Sequence, residues 1–400
     1  MRWQKNSIAG QYKGNIKKLW LYKLLLNLDF FSGVLIPFFI DWGRISFTQV
    51  MILQSWFMFW IFILEVPSGV IADKIGRKKT LIISALAFSI GPLVYASYPN
   101  FYVFLLGELF FAIGLSFSSG AIEALLYDSL KQIGREKDSK NTFLRLGSFS
   151  RLGILISAPL GSIIAKLTNI RIPMLITFIP YFIALIVALF LKEPPVTKVT
   201  EKKDYKTIFY KGLKNFSSNK VLRLLALDLL VISTTAYFWP WLYQLILMRL
   251  GISIALFGVV HSLLVLSQII ILHSIPRIES WFKSKKAVLL LGGLVNGIMF
   301  IITAITKNAI LGVLAIIIGA GFGLTRSPLI TNYLNKYIGS QERATTLSMV
   351  SMLRRIMLII INPLIGALAQ WSLSTALIIL GSVSILYTLF SSIEEEHLID

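Results

Sequence analysis

The sequence predicts an all-α membrane protein with twelve transmembrane helices in two six-helix, pseudo-symmetric halves. Three features point there. The chain is far oilier than a soluble domain. Its apolar runs are long enough to cross a bilayer. One polar segment near the middle separates two sets of six such runs.

The composition is 56% hydrophobic and only 14% charged over 400 residues, with a mean hydropathy of +0.75. Soluble domains carry about 25% charged residues, so this chain has too few to solvate a globule of its size. Thr80–Gly107 and Ile356–Ile393 contain no ionisable side chain other than tyrosine. A spanning helix needs about 20 apolar residues, so the second run is long enough for two. The pattern gives spans near 17–40, 47–71, 80–98, 101–127, 142–167, 172–191, 221–248, 254–274, 286–305, 309–333, 344–370 and 374–391. The opening "MRWQKNSIAGQYKGNIKKLW" is polar and basic for too long to be a cleavable leader, so the first span is expected to be retained.

The 39 Lys and Arg against 19 Asp and Glu leave a formal charge of +20. With the N-terminus assigned to the cytoplasm, 27 of those 39 bases fall in cytoplasmic segments and 5 in the opposite loops. That asymmetry is the positive-inside rule; it predicts a multi-pass protein of the inner (cytoplasmic) membrane with both termini cytoplasmic. The basic loops are expected to touch anionic lipid, and no nucleic acid partner is expected.

The longest polar segment, "KEPPVTKVTEKKDYKTIFYKGLKNFSSNK", divides the chain into an N-terminal half at 1–191, a cytoplasmic linker loop at 192–220 and a C-terminal half at 221–400. A weak repeat supports the division. "SLKQIGREKDS" after the fourth span resembles "YLNKYIGSQERAT" after the tenth, and Arg151 and Arg355 stand 204 residues apart. Parallel repeats of this kind place a binding site near the bilayer midplane.

One stretch, "GVIADKIGRKK", concentrates charge between two apolar runs. With Gly69, Asp73, Lys74, Gly76, Arg77 and Lys78 it fills every defining position of G-x-x-x-D-(R/K)-x-G-R-(R/K). With the span count and central loop, it resembles the major facilitator superfamily over nearly the whole chain. "LEVPSG", "SGAIEALLYDSLK" and "ERATTLSMVSMLRR" look like that family's bacterial drug-efflux-like, proton-antiporter branch. The second half's corresponding loop, "IPRIESWFKSKK", keeps an acid and bases without the Gly-x-x-x-Asp spacing. The resemblance implies alternating access by a working monomer, with Gly69 letting span 11 approach. It also implies that Asp73, Arg77 and Asp128 form a conformational clamp.

Ionisable groups inside spans are costly, at least about 2.5 kcal/mol each at the bilayer centre, and are functional candidates by default. Asp29 lies near the middle of span 1 and Glu108 within span 4; either is placed to carry a coupling proton, Asp29 first. Glu108, Ser119 and Glu123 fall on one face of span 4, at spacings of 11 and 4. Arg151, Arg355, Glu123, Asp228, Arg326 and Asn362 are the candidate substrate-binding residues, with arginine suited to a bidentate grip on an anion. Trp56, Phe57, Trp60, Tyr237, Trp239 and Trp241 offer an apolar wall, and His261 is a weaker candidate.

The expected function is secondary active transport of a small amphipathic molecule, driven outward by protons. The alternative is an organic-anion carrier working by symport, exchange or facilitated diffusion. Enzyme chemistry is not expected. There is no H-E-x-x-H, no G-x-x-x-x-G-K phosphate loop, no cysteine and only three histidines, so neither a metal nor a cofactor is expected.

Overall fold

The structure is a computed structural model that describes residues 2–195, 219–339 and 343–399. Most of the linker read at 192–220, namely 196–218, lies outside the described residues. The described chain is helical throughout: α1 Arg2–Leu25, α2 Phe47–Ile75, α3 Arg77–Ser97, α4 Phe101–Ser118, α5 Ala121–Gln132, α6 Ser139–Leu167 and α7 Ile172–Leu189 come first. They are followed by α8 Lys220–Tyr237, α9 Trp239–Arg249, α10 Phe257–Phe282, α11 Lys285–Ile305, α12 Ala309–Lys336, α13 Arg343–Trp371 and α14 Leu373–Phe390. Among the described residues, 11 helical stretches are long and apolar enough to cross a membrane, and the shorter run Ser32–Trp42 is the twelfth.

The chain forms two compact units, Met1–Ile45 with Trp56–Lys202, and Ser46–Ser55 with Lys203–Asp400. The start of α2 therefore groups with the second unit. There Thr48 Oγ1 donates to Gln370 Oε1 at 2.5 Å and Ser55 Oγ donates to the Ile359 carbonyl at 2.8 Å.

In the first unit Leu19 and Tyr22 of α1, Leu81 and Ala85 of α3, Leu125 and Leu126 of α5, and Tyr181 and Ala184 of α7 form one core. In the second, Leu225 of α8, Leu289 of α11, Ile330 and Leu334 of α12 and Met349 of α13 form another, closed by Ile393 and Leu398 of the C-terminal tail. Outward rows such as Ile179, Phe182, Ile183 and Ile186 of α7 remain exposed. In a soluble domain such rows would be a liability. On a spanning helix they face hydrocarbon.

Three spans expected to be continuous are broken. Span 1 ends as a regular helix at Leu25, and the amides of Asn27 and Leu28 turn to tighter bonds on the carbonyls of Leu24 and Leu25. The Asn27 amide group donates to the Lys23 carbonyl at 2.7 Å, competing with the helix for its own backbone. Gly153 of α6 lies against this break, where an added Cβ would stand 2.8 Å from the carbonyls of both Leu24 and Asn27. Span 4 divides into α4 and α5 at Gly120, whose φ of 74° is left-handed. The shared face expected for Glu108, Ser119 and Glu123 does not survive that turn. Span 7 divides at Phe238, just before Pro240, which has no amide proton to continue the helix.

The polar island is also more helical than its composition suggests. Only Gly76, at φ 94°, separates α2 from α3. The Glu193 carboxylate accepts from the first amides of α3, Arg77 N at 2.9 Å and Lys78 N at 2.6 Å. Those amides have no helical acceptor, and an anion suits the positive helix end.

Candidate functional site

Within the first unit a pocket of about 370 Å³ opens between α1, α5 and α6. It is lined by Lys23, Glu123, Phe143, Leu146, Ser150 and Arg151, with Gly147 in its wall. α1 delivers Lys23 two residues before its end. The turn at Gly120 sets Glu123 in the first turn of α5. The spacing Phe143, Leu146, Gly147, Ser150, Arg151 is one helical face of α6. Gly147 leaves the wall shallow: a Cβ there would have only the Arg151 guanidinium near it, at 3.7 Å.

Glu123 and Arg151, expected from the sequence as substrate-binding residues, therefore line one pocket. Lys23 joins them and was not singled out from the sequence. Ser150 connects the pocket to the break in span 1, since its hydroxyl donates to Asn27 Oδ1 at 2.8 Å. Two residues on, Asp29 is hydrogen-bonded by the Tyr181 hydroxyl. Glu108, the other candidate proton carrier, is buried on α4 and meets the hydroxyl of Tyr95, itself only 2% exposed. Asp29 and Glu108 thus each face a buried tyrosine.

The clamp residues fall in the first unit. Arg77 Nη1 forms an ion pair with Asp128 and donates to the Ala124 carbonyl at 3.0 Å, tying the start of α3 to α5. Asp73 is near enough to Arg77 for their charges to interact. At Gly69 an added Cβ would meet nothing within 4 Å.

In the second unit Asp228 of α8 and Arg326 of α12 grip each other. Arg326 Nε donates to Asp228 Oδ1 at 2.6 Å and Nη2 to Oδ2 at 2.5 Å, with the side chains 4% and 0% exposed. The Leu289 carbonyl accepts from the remaining nitrogen, Nη1. Arg355 is partly buried on α13, and Asn362, on the same helix, is fully buried. Its neighbour Arg354, not singled out from the sequence, reaches the Ser233 carbonyl at 3.4 Å.

The apolar wall is corrected in one place. Trp239 is a packing residue: its ring stacks on Phe300 at 3.8 Å and its indole nitrogen donates to Asn296 Oδ1 at 2.9 Å. Trp56 and Trp60 do lie edge to face at 5.4 Å on α2. Among the described residues, no group of three or more acidic or histidine side chains is arranged to hold a metal.

Two units of spanning helices, with charged side chains inside several of them, define a multi-pass membrane protein. The chain belongs to the Major Facilitator Superfamily, whose family model matches residues 24–362. The uncharacterized MFS-type transporter YxaM of Bacillus subtilis is 25% identical over 390 residues, covering 93% of this chain and 94% of that one. The uncharacterized transporter BU466 of Buchnera aphidicola is 28% identical over 161 residues, 40% of this chain and 39% of its own length. The galactose-proton symporter of Escherichia coli is 38% identical over 117 residues, 28% of this chain and 24% of that one. The chain thus spans about two fifths and about a quarter of those last two relatives.

Among solved structures, the nucleoside transporter NupG superposes with a TM-score of 0.78 at 16% identity, over 94% of this chain and 97% of that one. A POT family transporter in complex with 5-aminolevulinic acid gives 0.74 at 16% identity, over 96% of each chain. At such identities the likeness is one of fold.

Proposed function

We propose that this chain is a secondary active transporter of the cytoplasmic membrane that moves a small charged organic solute by alternating access, coupled to protons. It works as a monomer, with both termini in the cytoplasm. The solute is held in the pocket of Glu123 and Arg151, and the proton is carried by Asp29, with Glu108 second. The observation that supports this reading is the hydrogen bond from Ser150 to Asn27. It joins the pocket wall to the unwound segment bearing Asp29, so a change of charge at either end is felt at the other. The basic loops touch anionic lipid, and no ATP-binding loop is present to power the cycle.

The clamp belongs to the same reading. Arg77 and Asp128, with Asp73 beside them, bias one end state, and Gly69 leaves room for a helix to close there. Arg355 and Asn362 of α13 are the second unit's candidate solute-binding residues. Proton-driven export of an amphipathic compound, which the resemblance to the drug-efflux-like branch implies, is the second reading; the edge-to-face Trp56 and Trp60 support it.

The test is flux through the purified chain in proteoliposomes, under pH gradients of either sign, with charged and neutral solutes. Asp29→Asn is expected to abolish gradient-driven accumulation while leaving solute exchange at equal pH. Undiminished proton-driven accumulation by that variant would remove Asp29 from the mechanism.

A further inference from the structure

We propose that the pocket between α1, α5 and α6 is a zwitterion site. Lys23 and Arg151 hold the solute's carboxylate, Glu123 its ammonium group, and Phe143 and Leu146 its apolar part. The proposal rests on the transporter reading above and names the substrate class.

The first observation is that the three charges share one pocket without satisfying one another. Among the described residues, the side chains of Lys23, Glu123 and Arg151 form no ion pair or hydrogen bond, although all three line the same 370 Å³. Opposite charges on adjacent helices ordinarily close on each other when nothing is meant to come between them. Here each of three neighbouring helices contributes one charge to the lining, Lys23 from α1, Glu123 from α5 and Arg151 from α6.

The second observation comes from the repeat. Asp228 and Arg326 lie 205 and 203 residues beyond Lys23 and Glu123, on the corresponding helices of the second unit, with the signs exchanged. There the acid and base have closed into a bidentate pair, fully removed from solvent, and the remaining guanidinium nitrogen is taken by a carbonyl. Charges on the corresponding pair of helices therefore can meet. In the second unit the protein fills the place with its own charges; in the first it leaves them apart around a space the size of a small solute.

The third is electrostatic complementarity. A plain anion would be repelled by Glu123, and an amphipathic cation by Lys23 and Arg151. A neutral sugar would leave all three charges without a charged partner. A carboxylate suits the arginine fork with the lysine beside it, and an ammonium group suits Glu123. The solute that pairs with all three carries both signs. The volume and the two apolar residues fit a free amino acid or small dipeptide.

The test is uptake into proteoliposomes holding the full chain, with labelled free amino acids and glycyl dipeptides as the panel and galactose and uridine beside it. We expect at least one panel member to be transported and to be competed about tenfold less well by its N-acetyl and amide derivatives, equivalent to about 1.4 kcal/mol for each lost charge. Glu123→Gln should erase discrimination against the N-acetyl form but not against the amide. Lys23→Gln should do the reverse. Both variants should keep the parent melting temperature, since neither side chain makes a bond in the fold.

Flux of galactose or uridine that no zwitterion competes would overturn the substrate class and leave the transporter standing. Transport of a zwitterion with unchanged discrimination in both variants would overturn the site. Absence of flux for every probe would overturn the transporter reading and this proposal together.

Discussion

Glu395 does in the second unit what Glu193 does in the first. Glu193 receives the amides of Arg77 and Lys78 at the start of α3. Glu395 receives those of Lys285 and Lys286, at 2.7 and 2.9 Å, together with the Ser284 hydroxyl at the start of α11. Each glutamate follows the last helix of its unit and returns to cap the third span of that unit. The repeat, weak in sequence, is repeated in hydrogen bonding.

Removing the Glu193 carboxylate should loosen the first unit. Glu193→Ala leaves two helix amides without an acceptor and removes an anion from a positive helix end; the expected cost is about 1–2 kcal/mol. Thermal unfolding of the detergent-solubilised chain measures it, and Glu193→Gln should recover part of the loss. A variant as stable as the parent would show that the cap is ornamental.

The C-terminal tail should be released by acid. Glu394 pairs with Lys286 Nζ at 2.6 Å, and that hydrogen bond and charge hold its carboxyl below the usual carboxylate range. A depressed folded value means that the contact favours the folded state above the unfolded pKa, near 4.3, and is lost as pH falls through the folded value. Amide exchange at His397 and Leu398, whose amides bond the carbonyls of Glu394 and Glu395 in the tail, should therefore be slow and constant above the unfolded value, relative to its intrinsic rate, and lose protection as pH falls below it. Lys286→Met should already show the loss at neutral pH.

The buried pair of Asp228 and Arg326 should behave as a strut. Breaking it with Asp228→Asn leaves a guanidinium buried without its anion, a change of about 3–5 kcal/mol. Replacing both with leucine and methionine should restore much of the stability, because the desolvation of two charges is then no longer required. A double variant no more stable than the single ones would contradict this account.

Gly153 should tolerate nothing larger. A Cβ there lies 2.8 Å from two carbonyls of the broken span, and backbone cannot swing aside like a side chain. Gly153→Val is expected to cost about 1–3 kcal/mol and to reduce folded yield. Gly147→Leu makes the contrast: the space beside Gly147 is open, so the protein should fold normally and lose uptake because the pocket is filled.

Composition, run length and the distribution of lysine and arginine determined that this chain is a helical, multi-pass membrane protein, and the motif from Gly69 to Lys78 carried the resemblance to the major facilitator family. Lipid offers no partners for backbone groups, so an oily run of that length has few shapes open to it. Glu123 and Arg151 were legible for the same reason: a charge within a span stands out against its surroundings. Lys23 was not, because a base near a helix end looks like an anchor. Nor did the sequence separate Asp228 and Arg326, which neutralise each other, from Glu123 and Arg151, which remain apart. Residue type and helical spacing fix which face a charge is on. Only the packing of helices remote in sequence, and the breaks at Asn27, Gly120 and Phe238 that re-aim them, decide which charges touch and which are kept apart around a space.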